Sequence, residues 1–318
     1  MTLSPYSLLA LAVMLASVGL AWSRRFIATG SLIIGNVVVF LISALAPVVA
    51  FGDGAASVVE VELGLSPANL AQDPALGALQ LFTSMFLHAS IGHIFGNMLV
   101  LLAFALPFEE RIGARRFTLV YLASGVAAAL TQVALVPNTP LLVGASGAVF
   151  GIIGAFAVSY PNLIVPLPLP LLFIMLFVRM RVWIGALVFG AIEFVIVQVS
   201  APGDPVAHFA HLGGLAAGML LALALVRGKT PATRRPVAVD LGALTPFARD
   251  AGTAQALTQM RSNHDEPQIF QAWLDRFFRT ATCPQCGHKV MPRHHGEIVC
   301  TQGHRFDVRQ DQRKPIAA

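Results

Sequence analysis

Four groups of residues in this chain could do chemistry. Ser146 stands between glycines in Gly144-Ala145-Ser146-Gly147, at the mouth of the apolar run Ala148 to Val158. Two glycines let the backbone turn tightly and let another group come close. A serine at the start of the following helix sits near its positive end, where an oxyanion is favoured. His211 lies in Ala210-His211-Leu212-Gly213-Gly214, and Gly214 and Gly218 follow at the small-x-x-x-small spacing that lets two helix backbones approach. His88, His93 and Asn97 form a third group; His93 and Asn97 are four apart and share a helix face. Cys283, Cys286, Cys300 and His304 form the fourth, with His288 as the alternative fourth ligand.

Serine and histidine together define one chemistry. A hydroxyl attacks a carbonyl only when a base takes its proton, and imidazole can take that proton and later return it to a leaving amine. The developing oxyanion needs donors aimed at it, which His93 and Asn97 can supply. Hydrogen-bonding glue between helices is the plainer reading of that pair. His208, one turn before His211, is the rival base, and its place nearer the helix end points to a solvated, structural role. Glu193 lies within an apolar run, where a neutral hydrogen-bonded acid is the plainer reading and a gate or substrate contact the sharper one.

The elements that must position these groups are membrane spans. Of 318 residues, 56% are hydrophobic and only 12% charged, against about 25% charged in soluble domains. Apolar runs predict spans over about 5–22, 28–50, 90–107, 117–136, 146–160, 182–200 and 207–226. The run at 5–22 reads as a retained helix rather than a signal peptide, because Arg24 and Arg25 follow it and no basic residue precedes it. Arginines fall in every alternate connection, after the first, third, fifth and seventh spans. The positive-inside rule therefore puts the tail in the cytoplasm. It puts the 51–80 loop, the approach to Ser146, and the small-residue connection 201–205 on the outer side, where that connection could act as a movable cap. Ser146, His211 and His93 then share one depth near the outer face, whereas a transporter would place its polar groups near the bilayer centre.

The tail differs in composition. Residues 1–226 hold seven arginines, no lysine and eight acidic residues; residues 227–318 hold fourteen basic and eight acidic ones. Residues 227–266 read as a linker, and 267–318 as a helix with Ile269, Trp273 and Phe277 on one stripe plus a small metal-held module. All three cysteines lie in this tail, which argues against a disulfide framework. Cys-x-x-Cys closed by a second pair, a third thiolate and an imidazole, has the spacing of a structural zinc site. The basic surroundings suit contact with protein or anionic lipid; no nucleic-acid motif is evident.

Residues 28–226 resemble the six-helix core of rhomboid intramembrane serine proteases. The resemblance rests on four motifs in order: H-A-S-I-G-H-I-F-G-N at 88–97, E-E-R-I-G-A-R-R-F at 109–117, G-A-S-G-A-V-F-G at 144–151, and A-H-L-G-G-L-A-A-G at 210–218. It implies an all-α polytopic membrane protein; residues 1–27 add a helix beyond that core, and the zinc-ribbon-like module read from the cysteine spacing follows it. It also implies Ser146 as nucleophile and His211 as base, with His93 and Asn97 stabilising the oxyanion. Phe150 would then lie against the catalytic histidine, and Glu109 and Gly113 would fix the cytoplasmic turn. The family uses a dyad, so no acidic third member is expected, and catalysis needs no cofactor. The substrates implied are transmembrane helices of other proteins, cut near the outer face of a bacterial inner or plasma membrane. A catalytically inactive relative that binds membrane clients is the alternative. The family's Trp-Arg pair is missing from residues 51–80, which leaves that loop's anchoring open.

Overall fold

The computed structural model describes residues 3–23, 26–52, 54–139, 141–171, 174–199, 206–226, 240–264, 267–292 and 297–308. Arg24, Arg25 and the connection expected to act as a cap, 201–205, lie outside these. The chain divides into two compact units, residues 1–230 and 231–318.

The first unit opens with two apolar helices, α1 (Pro5–Trp22) and α2 (Ala28–Leu45). A hairpin, β1 (Val48–Phe51) with β2 (Gly54–Ser57), leads into three short helices: α3 (Val58–Leu63), α4 (Pro67–Gln72) and α5 (Pro74–Thr83). Then come α6 (Ile91–Ile112), α7 (Ala114–Leu135) and α8 (Ser146–Ser159), followed by an antiparallel hairpin, β3 (Ile164–Leu171) with β4 (Ile174–Arg181). Helices α9 (Val182–Val199) and α10 (His208–Leu225) complete the unit. Among the described residues, six helices are long and apolar enough to cross a membrane: α1, α2, α6, α7, α9 and α10. Large apolar side chains lie exposed along them, including Ile34 at 66%, Leu187 at 61% and Phe194 at 60%. Such a surface suits lipid and not water.

All seven predicted spans are helices, but α8 has only 14 residues. At about 1.5 Å per residue it reaches about 21 Å, short of a hydrocarbon core of about 30 Å. Two hairpins also correct the all-α expectation. The proline-rich segment between the fifth and sixth predicted spans pairs as β3 with β4, from Ile164 opposite Arg181 to Leu171 opposite Ile174. Proline disfavours helix, while the alternating Pro and Leu of Pro166 to Leu171 match the two-residue period of a strand.

Buried carboxylates tie the helix starts. On α6, Glu109 accepts from the N–H groups of Ala28 and Thr29 and from the Thr29 hydroxyl, each at 2.7 Å. It thereby caps α2, satisfying donors that a helix start leaves open. Gly113, with φ at +81°, makes the sharp α6–α7 turn. At the other end Glu62 accepts from Ser4 N at 2.9 Å, where α1 starts. Gln80 ties the first loop together: its Nε2 donates to Glu62 O at 3.1 Å, and its Oε1 accepts from Ser66 N at 3.3 Å and Asn69 Nδ2 at 3.1 Å. Loop arginines gather at the end that Glu109 marks. Arg115 donates to Trp22 O at 3.3 Å and lies over that ring, and Arg111 lies over Tyr160.

Helices α8 and α10 pack backbone against backbone. A Cβ added at Gly214 would strike the Gly147 carbonyl, and one at Gly218 the Gly151 carbonyl. One at Gly154 would strike the Leu215 carbonyl. Phe108 stacks on Phe156 at 5.0 Å beneath this contact.

The second unit holds the 3-10 turn Thr245–Phe247, α11 (Ala251–Ser262) and α12 (Pro267–Thr280), then a three-stranded antiparallel sheet of β5 (Val290–Pro292), β6 (Glu297–Cys300) and β7 (Arg305–Asp307). Helix α11 falls within the stretch expected to be linker, so that expectation is corrected. Asp250 caps it by accepting from Thr253 N at 2.9 Å, and the Thr253 N–H and hydroxyl hold the Asp250 carboxyl below the usual range. Its inner face, with Ala256, Leu257 and Met260, joins Leu274 and Phe277 of α12 in one core. The small and polar residues of 240–255 concealed a capped helix with a narrow apolar stripe.

Adding a methyl at Gly218 must push α10 away from α8. Gly218→Ala should cost about 1–3 kcal/mol and lower the thermal unfolding temperature in detergent. Gly30→Ala, where nothing lies within 4 Å of the added Cβ, should leave it unchanged or raised.

Candidate active site

The α8–α10 contact brings Ser146 to His211. The serine Oγ and the histidine Nε2 are 2.7 Å apart. Helix α8 starts at Ser146, and Ala145 before it provides no side-chain cap, so the N–H groups of its first turn keep their partial positive charge for a ligand. The approach to Ser146 is pinned at two places. Gly144 N donates to Ser84 O at 2.9 Å, and Leu65 and Leu142 exchange both backbone hydrogen bonds, at 3.0 and 2.8 Å. Gly144 has φ at +135°, and a Cβ there would lie 2.8 Å from His93 Nε2 and 3.6 Å from Ser146 Oγ. Only glycine satisfies both the backbone conformation and that space.

Two side chains contact His211, and a third backs one of them. Phe150, one turn along α8 from Ser146, stacks on its ring with centroids 4.5 Å apart and planes within 3°. Phe189 of α9 meets Phe150 edge-on at 5.8 Å. Glu193, one turn beyond Phe189, places Oε1 2.9 Å from His211 Nδ1, at ion-pair distance, and Oε2 2.6 Å from His208 Nδ1 in an aligned hydrogen bond. The start of α10 is held by Gln132 of α7, whose Oε1 accepts from Ala210 N at 3.1 Å.

Two expectations change here. An acidic group does stand behind the histidine, and His208 is buried against it and not solvated, with 8% exposure. Linear distance hid both, because Glu193 and His211 meet only when α9 packs on α10. The signal available was Phe189 and Glu193 at i and i+4, a shared face. Glu193, His208 and His211 offer three donors within 4.8 Å of one another. Tetrahedral ligands at about 2.0–2.1 Å from zinc stand about 3.3 Å apart, so the 2.6 Å separation is that of a hydrogen bond.

The expected oxyanion pair lies on the first two turns of α6. His93 reaches the space beside Gly144, with the buried His88 ring edge-on to it at 5.0 Å. Asn97 is 8% exposed, and its Nδ2 has no hydrogen-bond partner among the described residues. A buried amide donor without an acceptor costs about 1–3 kcal/mol, and an oxyanion would satisfy it.

In the second unit the four expected ligands converge. Cys283 Sγ lies 3.6 Å from His304 Nδ1, Cys286 Sγ 3.3 Å from Cys300 Sγ, and Cys300 Sγ 3.7 Å from His304 Nδ1. All four donor atoms fall within 4.8 Å of one another, a size that suits tetrahedral zinc with Zn–S at about 2.3 Å. Two tight turns present them: Gly287 N donates to Cys283 O at 2.9 Å, and Gly303 N to Cys300 O at 2.8 Å. Both glycines have positive φ. His288 is exposed, with Nδ1 3.1 Å from Cys286 O, and stands outside the cluster.

Part of the chain is similar to known proteins. A family model described as the Rhomboid domain matches residues 76–228. RHOMBOID-like protein 1 of Arabidopsis thaliana is 33% identical over 149 residues, 45% of this chain and 33% of that protein. Rhomboid-like protease 3 of Toxoplasma gondii is 34% identical over 154 residues, 48% of this chain and 54% of its own. Rhomboid-related protein 2 of Mus musculus is 33% identical over 159 residues, 48% of this chain and 50% of its own. The chain thus spans between about a third and about half of the length of these relatives. The matches support the rhomboid family, a family of intramembrane proteases, and the six apolar helices fit its polytopic membrane fold.

The cluster in the second unit predicts its own assay. The purified protein should carry about one zinc per chain, lost in a Cys283→Ser/Cys286→Ser variant, and chelation should speed proteolysis within 281–308. A chain without metal, or equal proteolysis with and without chelator, would count against zinc.

Proposed function

We propose that the protein is an intramembrane serine endopeptidase that cuts transmembrane helices of other membrane proteins, with Ser146 as nucleophile and His211 as general base. The observation that carries this reading is the 2.7 Å contact between Ser146 Oγ and His211 Nε2. With Nε2 as acceptor the ring proton resides on Nδ1. As Ser146 Oγ bonds to the scissile carbonyl carbon, its proton passes to Nε2. The carbonyl oxygen becomes an oxyanion, met by the Asn97 amide, His93, and the first-turn N–H groups of α8. Collapse breaks the C–N bond, and His211 gives its proton to the departing amine. Water, activated by the same imidazole, then hydrolyses the acyl-enzyme and restores the serine.

Depth supports the substrate class. Helix α8 is too short to span the bilayer alone, so Ser146 starts below one surface, within reach of a partly unwound membrane helix. The site lies at the end of the bundle away from Arg111 and Arg115. By the positive-inside rule that end faces outward, and the tail with its cysteines is cytoplasmic. There reduced thiols stay available to zinc. Zinc would cross-link the second unit, and the proteolytic chemistry needs only serine, imidazole and hydrogen-bond donors.

Purified protein should cleave a model transmembrane substrate and react at Ser146 with a fluorophosphonate. Ser146→Ala and His211→Ala should each abolish cleavage with the thermal unfolding temperature retained. Cleavage surviving in either variant would refute the assignment, and a folded wild type that neither cleaves nor labels would favour a client-binding protein. His93→Ala and Asn97→Ala should lower kcat by about 10²–10³ while KM changes little, because they act on charge present only in the transition state. A raised KM at unchanged kcat would make them substrate-positioning groups.

A further inference from the structure

Glu193 is the only charged residue of α9. That helix is otherwise largely exposed; its inward stripe is Val182, Gly185, Ala186, the partly buried Phe189 and Glu193. Carrying an ionisable group through an apolar span is costly, and this one is 9% exposed. Its two oxygens have separate partners: Oε2 is fixed by His208 at 2.6 Å, and Oε1 stands 2.9 Å from His211 Nδ1. The far nitrogen of His211 is the one 2.7 Å from Ser146 Oγ. Serine, imidazole and carboxylate therefore follow one another from α8 through α10 to α9, the last contact standing at ion-pair distance without the alignment of a hydrogen bond.

We propose that Glu193 is a positioning residue that completes a Ser146–His211–Glu193 triad, with His208 anchoring the carboxylate. The proposal rests on the Ser146–His211 reading above. Glu193 acts through His211 in two ways. It keeps the ring proton on Nδ1, so that Nε2 is free to accept from Ser146. It also balances the imidazolium that forms when the serine proton arrives. No proton leaves His211 for the carboxylate. Phe150 stacks on one face of the ring and limits its tilt, while Glu193 sets its rotation in plane. Glycines at the α8–α10 contact fix the distance; Glu193 fixes the tautomer.

The test is a comparison of Glu193→Gln, Glu193→Asp, Glu193→Ala, Ser146→Ala and wild type in detergent, following cleavage, fluorophosphonate labelling and thermal unfolding. Gln keeps the shape but can donate to Nδ1, which puts the ring proton on Nε2, the wrong nitrogen. Glu193→Gln should lower kcat by about 10²–10⁴-fold, with KM within about twofold and labelling falling in parallel. Glu193→Asp should recover at least about tenfold over Gln, since a carboxylate again faces His211. A merely structural role would lower the unfolding temperature of Gln and Asp alike and give no such recovery. Should Gln unfold early, Asp and Ala are compared at a temperature where both are folded: Asp above Ala by about tenfold supports the triad, and equal rates overturn it. If wild type cleaves, Ser146→Ala is silent and Glu193→Gln stays within about threefold of wild type, the triad is wrong and the dyad stands. If wild type itself neither cleaves nor labels, the catalytic reading fails first and the triad with it.

Discussion

Everything at the candidate site depends on how closely α8 and α10 approach. Their backbones touch where Gly214 meets Gly147 and Gly218 meets Gly151. Lipid tails are as apolar as leucine, so burial alone cannot hold two membrane helices together. Close packing and the Cα–H groups it brings near carbonyls do so instead. With larger residues at these positions the helices would separate, and the 2.7 Å contact of Ser146 with His211 would open. The other devices refine a distance that the glycines set. Phe150 holds the ring's plane, Gln132 holds the start of α10, and Ser84 and Leu65 hold the strand of chain leading to Ser146.

The sequence told most where the signal was local. Apolar runs located the six long helices and the shorter α8 to within about five residues at each end, because a span must satisfy its backbone internally. Gly-Ala-Ser-Gly and the spaced glycines after His211 pointed to the serine–imidazole pair for the same reason: a close approach needs small residues at fixed intervals. Cys283, Cys286, Cys300 and His304 were legible because tight turns carry them. Glu193 was not, since its meaning depends on which neighbour α9 packs against. His208 misled in the same way: near a helix end in the chain, it is buried in space by a side chain from another helix. The β3–β4 hairpin was missed because prolines read as punctuation, although strict alternation was present.

The two units use different means for the same end. In the first, buried carboxylates and amides satisfy backbone donors where helices begin, as Glu109 does for α2 and Glu62 for α1. Such groups cost desolvation, which several hydrogen bonds offset. In the second, a small core around Phe277 and Phe247 is supplemented by four convergent soft donors. Membrane burial supports the first, while a module of this size in water gains from a cross-link.

The β3 strand has a property that reaches beyond its pairing. Proline carries no N–H, so Pro166, Pro168 and Pro170 cannot serve the side of the ladder that faces β4. These alternate positions must turn toward the open side, which therefore presents carbonyl oxygens and no donors. A bare strand margin normally invites another chain to add itself, and in an apolar medium each unmet donor is a further cost. Here the margin has been disarmed one position in two. On this margin the hairpin offers an incoming strand no donors, so any further pairing is left to the outer margin of β4, where Met175, Phe177 and Arg179 keep their N–H groups.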